Sequence, residues 1–233
     1  MIYSDLARVR SAPLISVTID PALKARCPRV ALACVSAEVR ADVPSPALEA
    51  ELRACEERIA ALPDPRAVLE SPVILATRAG YKALGKDPAR YRGSAEALLR
   101  RLIAGKGLPR VSPVVDVINL VSVESRLPIG LYDLAHVQGA ITFRAGRAGE
   151  SYKGIGKYDL NLEDLPLFAD ALSPHGSPTS DSERTMVTAA TTRVLAILIS
   201  FPGPEGLEKW TGRMCGLLAL HAQSKNAEVW SVV

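Results

Sequence analysis

Three histidines carry the most obvious chemistry in this chain: His136, His175 and His221. His136 follows Asp133 by three residues, a spacing that suits a local pair. His221 lies on a predicted C-terminal helix, where a histidine is more often a surface or core residue than a catalyst. His175 stands beside Gly176 in the loop SPHGSPTSDS, close to Asp181, Ser182 and Glu183, and is the histidine placed to act as a base. Asn119 and Ser122 interrupt an apolar run. Burying their amide and hydroxyl costs a few kcal/mol unless hydrogen bonds compensate, so either the local backbone satisfies them or they line a pocket. Gly154-Ile155-Gly156 is two glycines in a turn, not a phosphate loop, and the usual nucleophile, zinc and dinucleotide motifs are absent. Cys27, Cys34, Cys55 and Cys215 form no CxxC pair and have no histidine at ligand spacing. The sequence therefore calls for no metal and no cofactor.

The stretch that must position these residues is PVVDVINLVSVESRLPIGLYD, Pro113 to Asp133. Val114, Val117, Ile118 and Val121 recur at helical spacing. Pro128 and Gly130 then break the pattern into a turn that leaves on Leu131, Tyr132 and Asp133. Before it, Leu14–Ile19 and Arg29–Arg40 read as strands, and Asp20-Pro21 starts a short helix. Ser45-Pro46 starts a helix to about Leu62 with Leu48, Leu52, Cys55, Ile59 and Leu62 on one stripe. Val73–Leu84 and a segment from Ser94 to Gly105 are further helices. After Asp133 the period changes to strands: 139–144, 150–156, 159–162 and 167–169. Ser173–Ser182 is expected to be a loop. Val194–Phe201 is too apolar and β-branched for a surface helix and reads as a central strand. A helix over 207–223, buried through Leu207, Trp210, Met214, Leu217 and Leu218, precedes an edge strand at 229–232. Helices flanking mixed, mostly antiparallel strands make an α+β fold. The expected organisation is a strand and helix layer over residues 1–70 packed on a main domain over 71–233, together one compact unit.

Composition bounds the partners. The 233 residues are 48% hydrophobic and 23% charged, which excludes a disordered chain, and the formal net charge of +3 does not by itself demand nucleic acid. Charge is unevenly spread. Residues 82–110 hold eight basic side chains against Asp87 and Glu96, and 159–183 hold six acids with no lysine or arginine. The basic band would suit a phosphate backbone or simply the wet face of helices. Met1–Val17 has no long apolar centre and no run is long enough to span a bilayer, so a reducing cytoplasm is the expected location, with no membrane partner.

The order of segments carries more than any single motif. PVVDVINLVSVESRLPIGLYDL, then ITFRAGRAGESYKGIG, LFAD, SDSERT and TRVLAILIS, over about Val73–Trp210, resembles the B3/B4 domain of the bacterial phenylalanyl-tRNA synthetase β chain. It resembles freestanding B3/B4-domain proteins more closely. The resemblance implies an α+β domain that contacts tRNA and hosts an editing site, where the ester joining a wrong amino acid to the tRNA 3′ end is hydrolysed. The family motif PxHAFD reads here Pro128-Ile129-Gly130-Leu131-Tyr132-Asp133, with Gly130 in place of the editing histidine. The pocket glutamate falls at Ile197, and a pocket arginine is matched approximately by Arg110.

A pocket between the helix from Pro113, the Gly154 turn and the 175–185 loop would gather these groups. Asp133, Ser182, Arg184 and Thr185 are the expected catalytic residues: a carboxylate for the α-ammonium, hydroxyls for the oxyanion, and a guanidinium for the carbonyl or terminal phosphate. An activated ester needs positioning more than a triad. Asn119, Ser122, Tyr132, Gly154, His175 and Asp181 would bind substrate, and Arg100, Arg101, Lys106 and Arg110 would hold RNA. Three readings stay open: a trans-editing deacylase acting on misacylated tRNA, a non-catalytic module for RNA, an aminoacyl end or an amino acid, and a small-molecule enzyme that reuses the pocket.

Overall fold

A computed structural model describes residues 15–156 and 159–233. Leu14, the expected start of the first strand, and the rest of the N-terminal segment lie outside them. Helix starts follow one local rule. Asp20, Ser45, Ser71 and Ser112 each accept a hydrogen bond from a first-turn amide, and each is followed by proline at the first helical position. These caps open α1 (Pro21–Arg26), α2 (Pro46–Ala60), α3 (Pro72–Ala83) and α5 (Pro113–Ser125). α4 (Ser94–Ile103) starts instead from Gly93 without a side-chain cap, so Ser94 is its first residue and not its cap. α6 spans Leu207–His221. Leu62 falls beyond α2 and is 38% exposed, outside the expected stripe.

The strands form two four-stranded sheets and a hairpin. In the first sheet, β1 (Val17–Ile19) pairs parallel with β4 (Ile141–Ala145), followed antiparallel by β7 (Pro166–Ala169) and β8 (Pro174–Gly176). The second is wholly antiparallel, in the order β10 (Lys225–Val232), β2 (Ala31–Glu38), β9 (Arg193–Ser200) and β3 (Ile129–Asp133). β5 (Ser151–Lys153) and β6 (Asp159–Asn161) make the hairpin. The architecture is α+β. Two expectations change here. The exit from the Pro113 helix is a strand, β3, and not a turn, because residues 129–133 all find ladder partners on β9. The 173–182 loop contains a strand, β8, which pairs with β7.

Side-chain alternation explains the layering. On β9, Val194, Ala196 and Leu198 face one core while Leu195, Ile197 and Ile199 face another. The first core lies under α2, α4, α5 and α6. The second lies between the two sheets and holds Tyr132, Phe143, Phe168, Cys34 and Ile141, together with Tyr81 of α3. A strand buried on both faces needs apolar residues at every position, which is why β9 reads as one continuous run. Each such side chain contributes roughly 1.5–3 kcal/mol on burial. No helix among the described residues is long and apolar enough to cross a membrane.

Candidate functional site

The polar loop residues gather at one end of the inter-sheet core. Gly154 forms an isolated bridge with Ser182, and the Ile155 amide donates to the Asp181 carbonyl at 3.0 Å. The Ser182 amide donates to the His175 carbonyl at 2.9 Å, and the Thr185 hydroxyl to that same carbonyl at 3.3 Å. Asp181 reaches across to β3, where its Oδ2 accepts from the Leu131 amide at 3.1 Å. The His175 ring stands edge-on to Tyr132 with centroids 4.5 Å apart. The fold thus brings Tyr132, Gly154, His175, Asp181, Ser182 and Thr185 into one neighbourhood. Two further tyrosines, which the sequence did not single out, converge on the same loop. Tyr81 shares a 2.8 Å hydrogen bond with the Thr179 hydroxyl, and Tyr152 donates to the Ser180 carbonyl at 2.5 Å. Burial pushes all three phenols upward, and at Tyr132 the Asp181 carboxylate adds to it, so they stay protonated.

Most of this neighbourhood is filled. Gly130 and Ile197 face each other across β3 and β9. Tyr132, two residues from Gly130 on the same face, lays its ring and hydroxyl over Gly130 and over Gly176 of β8. A Cβ built on either glycine would fall within 3.0 Å of the Tyr132 side chain. The two glycines are therefore the seat of the tyrosine. Four surface cavities of about 400, 550, 610 and 640 Å³ open elsewhere, and none of the four is lined by Tyr132, His175, Ser182 or Thr185.

The residues nominated for catalysis hold structure. Asp133 accepts from the Ala135 amide at 2.9 Å, capping a short turn after β3, and from the Thr191 hydroxyl at 2.7 Å. The Ser182 hydroxyl caps the turn that follows it, accepting from the Arg184 amide at 3.1 Å. Arg184 is a clamp: its guanidinium pairs with Asp170 at 3.0 and 3.1 Å and donates to the carbonyls of His136 and Ser173. Burial would raise the Asp170 carboxyl, but the Gln138 amide and Arg184 outweigh it and hold it at about 2. His175 is fully buried, and neither ring nitrogen has a partner among the described residues. Burial lowers its pKa to about 4, so the imidazole is neutral at physiological pH.

Several expected members lie elsewhere. The Ser122 hydroxyl donates to the Leu127 carbonyl at 2.7 Å and closes the end of α5, so backbone satisfaction prevails over pocket lining. Ser122 and Asn119 ride on α5, on the helical side of the second sheet, away from Tyr132. The second half of the basic band, residues 100–110, belongs to that helical side too, whereas Lys86 reaches the Glu163 carbonyl. Arg100 pairs with Glu96 at 2.8 Å, Arg101 donates to the Gly107 carbonyl, and Arg110 pairs with Glu49 and Glu56. Lys106 is exposed. These cations do not face the inter-sheet neighbourhood, and two of the four are neutralised by carboxylates.

One further arrangement has the order of a nucleophile, base and acid. The Ser45 hydroxyl lies 2.8 Å from His221 Nδ1, and His221 Nε2 lies 3.0 Å from Glu51. The imidazole is buried, Ser45 caps α2, and Glu51 also holds Arg213 at 2.8 Å. This string ties α2 to α6.

Comparison with known proteins agrees with the ordering of segments. The phenylalanine–tRNA ligase beta subunit of Chromobacterium violaceum is 35% identical over 79 residues, covering 34% of this chain and 10% of that protein. The corresponding subunit of Nitrosospira multiformis is 38% identical over 73 residues, covering 29% of this chain and 9% of that protein. The chain thus spans about a tenth of the length of these relatives. An N-terminal fragment of the phenylalanyl-tRNA synthetase beta subunit from Pyrococcus horikoshii superposes with a TM-score of 0.49 at 17% identity, covering 94% of this chain and 52% of that one. The sequence model of the B3/4 domain matches residues 76–205, from α3 to just past β9, and with more than half of its length so matched the chain belongs to the B3/4 domain family.

Proposed function

We propose that this protein is a tRNA-associated binding module that holds RNA without hydrolysing an aminoacyl ester. The family and the named relatives support the link to tRNA. The observation that carries the rest is the seating of Tyr132. Its ring and hydroxyl occupy the face of β3 where the family's editing histidine would project, over Gly130 and beside Ile197. Ester hydrolysis needs room for the acyl carbonyl, a positioned water and donors for the oxyanion, each donor worth roughly 2.7–4 kcal/mol. Here the amides of Ile155 and Ser182 already donate to backbone carbonyls, and Asp133 and Arg184 are held by other groups.

A deacylase is the second reading, favoured by the two unpartnered nitrogens of His175 in this buried cluster. Both are tested by incubating the protein with a panel of correctly and wrongly charged tRNAs while measuring tRNA binding. Binding with release no faster than the spontaneous rate is the expected outcome. Selective release of one amino acid, lost in His175→Phe, would establish the deacylase instead.

A further inference from the structure

The C-terminal turns of α2 and α5 meet the N-terminal turns of α6 around a cavity of about 610 Å³. It is lined by Arg58, Arg126, Lys209 and Arg213, with Glu124 and Trp210 between them. Helix ends explain only half of this charge. Arg58 lies in the last turn of α2 and Arg126 at the C-cap of α5, where the partial negative charge of a helix end favours cations. Arg126 also donates to the Val123 carbonyl near that end. Lys209 lies in the first turn of α6, where the helix dipole opposes it, Arg213 lies one turn on, and no side chain caps that terminus.

The acids nearby do not neutralise the set. Glu124 is shared between Arg58 and Arg213 at 3.2 Å each, and Arg213 also takes Glu51. Among the described residues, neither Arg126 nor Lys209 has a carboxylate partner within 4.0 Å. The Lys209 ammonium lies over the Trp210 ring, 4.6 Å from its centroid. Arg126 carries a second mark. Its φ of 67° is left-handed, a conformation glycine or asparagine adopts more readily and that costs an arginine roughly 1–2 kcal/mol. Strain kept at a half-buried cation is the kind of feature that clusters at binding surfaces.

We propose that this cavity docks the phosphodiester backbone of a single RNA strand, with Arg126 and Lys209 as its unpaired phosphate contacts and Trp210 as the adjoining aromatic surface. The proposal rests on the RNA-binding reading above and gives it a location away from both the inter-sheet core and the 82–110 band. A strand fits better than a single small anion. The cations come from three helices around one wide opening, and a cationic groove with an aromatic ring is how sequence-tolerant single-strand sites are built.

The test is fluorescence anisotropy of a fluorescein-labelled single-stranded RNA oligonucleotide over a range of salt, with the full chain. The variants are Arg126→Gly and Lys209→Gln, with Arg29→Gln as a distant charge control. Glycine accepts the left-handed φ, so Arg126→Gly is expected to keep the fold, checked by circular dichroism and melting. Each cavity variant should weaken binding several-fold and flatten the log–log salt slope by about 0.7, the value for one single-strand phosphate contact. Arg29→Gln should lower affinity far less. RNA binding that is unchanged in both cavity variants would overturn the location while leaving the RNA reading intact. Failure of the parent protein to bind RNA would remove both. Competition by inorganic phosphate as effective as by the oligonucleotide, at equal phosphate concentration, would overturn the strand and leave a small-anion site.

Discussion

A side chain at position 130 would have to share its space with the Tyr132 hydroxyl, and the result can be read as a coupling. Gly130→Ala should destabilise the protein by about 1–3 kcal/mol, the usual range for overpacking a core. In a Tyr132→Ala background the same change should cost much less, and a double-mutant cycle of urea denaturations measures the difference. Equal costs in the two backgrounds would mean that Tyr132 does not fill this space. His175 makes a separate prediction. Its folded pKa of about 4 lies below its ordinary 6.5, so between these values the unfolded chain takes up a proton that the folded chain refuses. Stability should therefore fall as pH drops from about 6.5 to about 4, by up to roughly 3 kcal/mol. His175→Phe should lose that slope in a pH series of urea midpoints. The carboxylate of Asp170, held at about 2, acts in a lower window, below its ordinary 3.8.

Ser122 shows how an element can absorb a residue that looks functional. Ser122→Ala should cost about 1–2 kcal/mol by leaving the Leu127 carbonyl without its buried donor. Chemical denaturation should show that loss with RNA affinity unchanged, whereas a parallel loss of affinity would return Ser122 to a binding role. Whole elements were legible because local chemistry declares them. Asp20, Ser45, Ser71 and Ser112 before proline mark helix starts, and the unbroken apolar run of β9 marks a strand covered on both sides. The site was legible for Asp181, Ser182 and Thr185, neighbours in sequence, and for Tyr132 and Gly154, which the order of segments set beside the 175–185 loop and which meet it there. Tyr81 and Tyr152 reach that loop from distant elements, and no spacing rule connects them to Thr179 or Ser180. The cavity cations were hidden for the same reason, since Arg58, Arg126 and Lys209 converge only when three helix ends meet.

At the scale of the molecule, residues 15–70 are woven into both sheets. β1 pairs with β4, and β2 lies between β10 and β9 in the second sheet. A fragment of residues 71–233 would leave the inner edges of β9 and β10 unpaired and take Val17, Leu23, Cys27, Val30, Leu32 and Cys34 out of the inter-sheet core. It is expected to show no cooperative melting transition, which differential scanning calorimetry would check. A sharp transition would make 71–233 a domain in its own right.

The pairing of β2 with β9 also governs when the molecule can come together. Ala31 finds its partner in Ser200, so a chain emerging from a ribosome carries β2 through the synthesis of nearly everything between them before its ladder can close. Closing so long a loop must precede any reward from the contacts it allows, which slows folding. Until β9 arrives, β2 is an apolar strand with both edges open, and a nascent chain of this protein is a natural client for a chaperone that shields such edges.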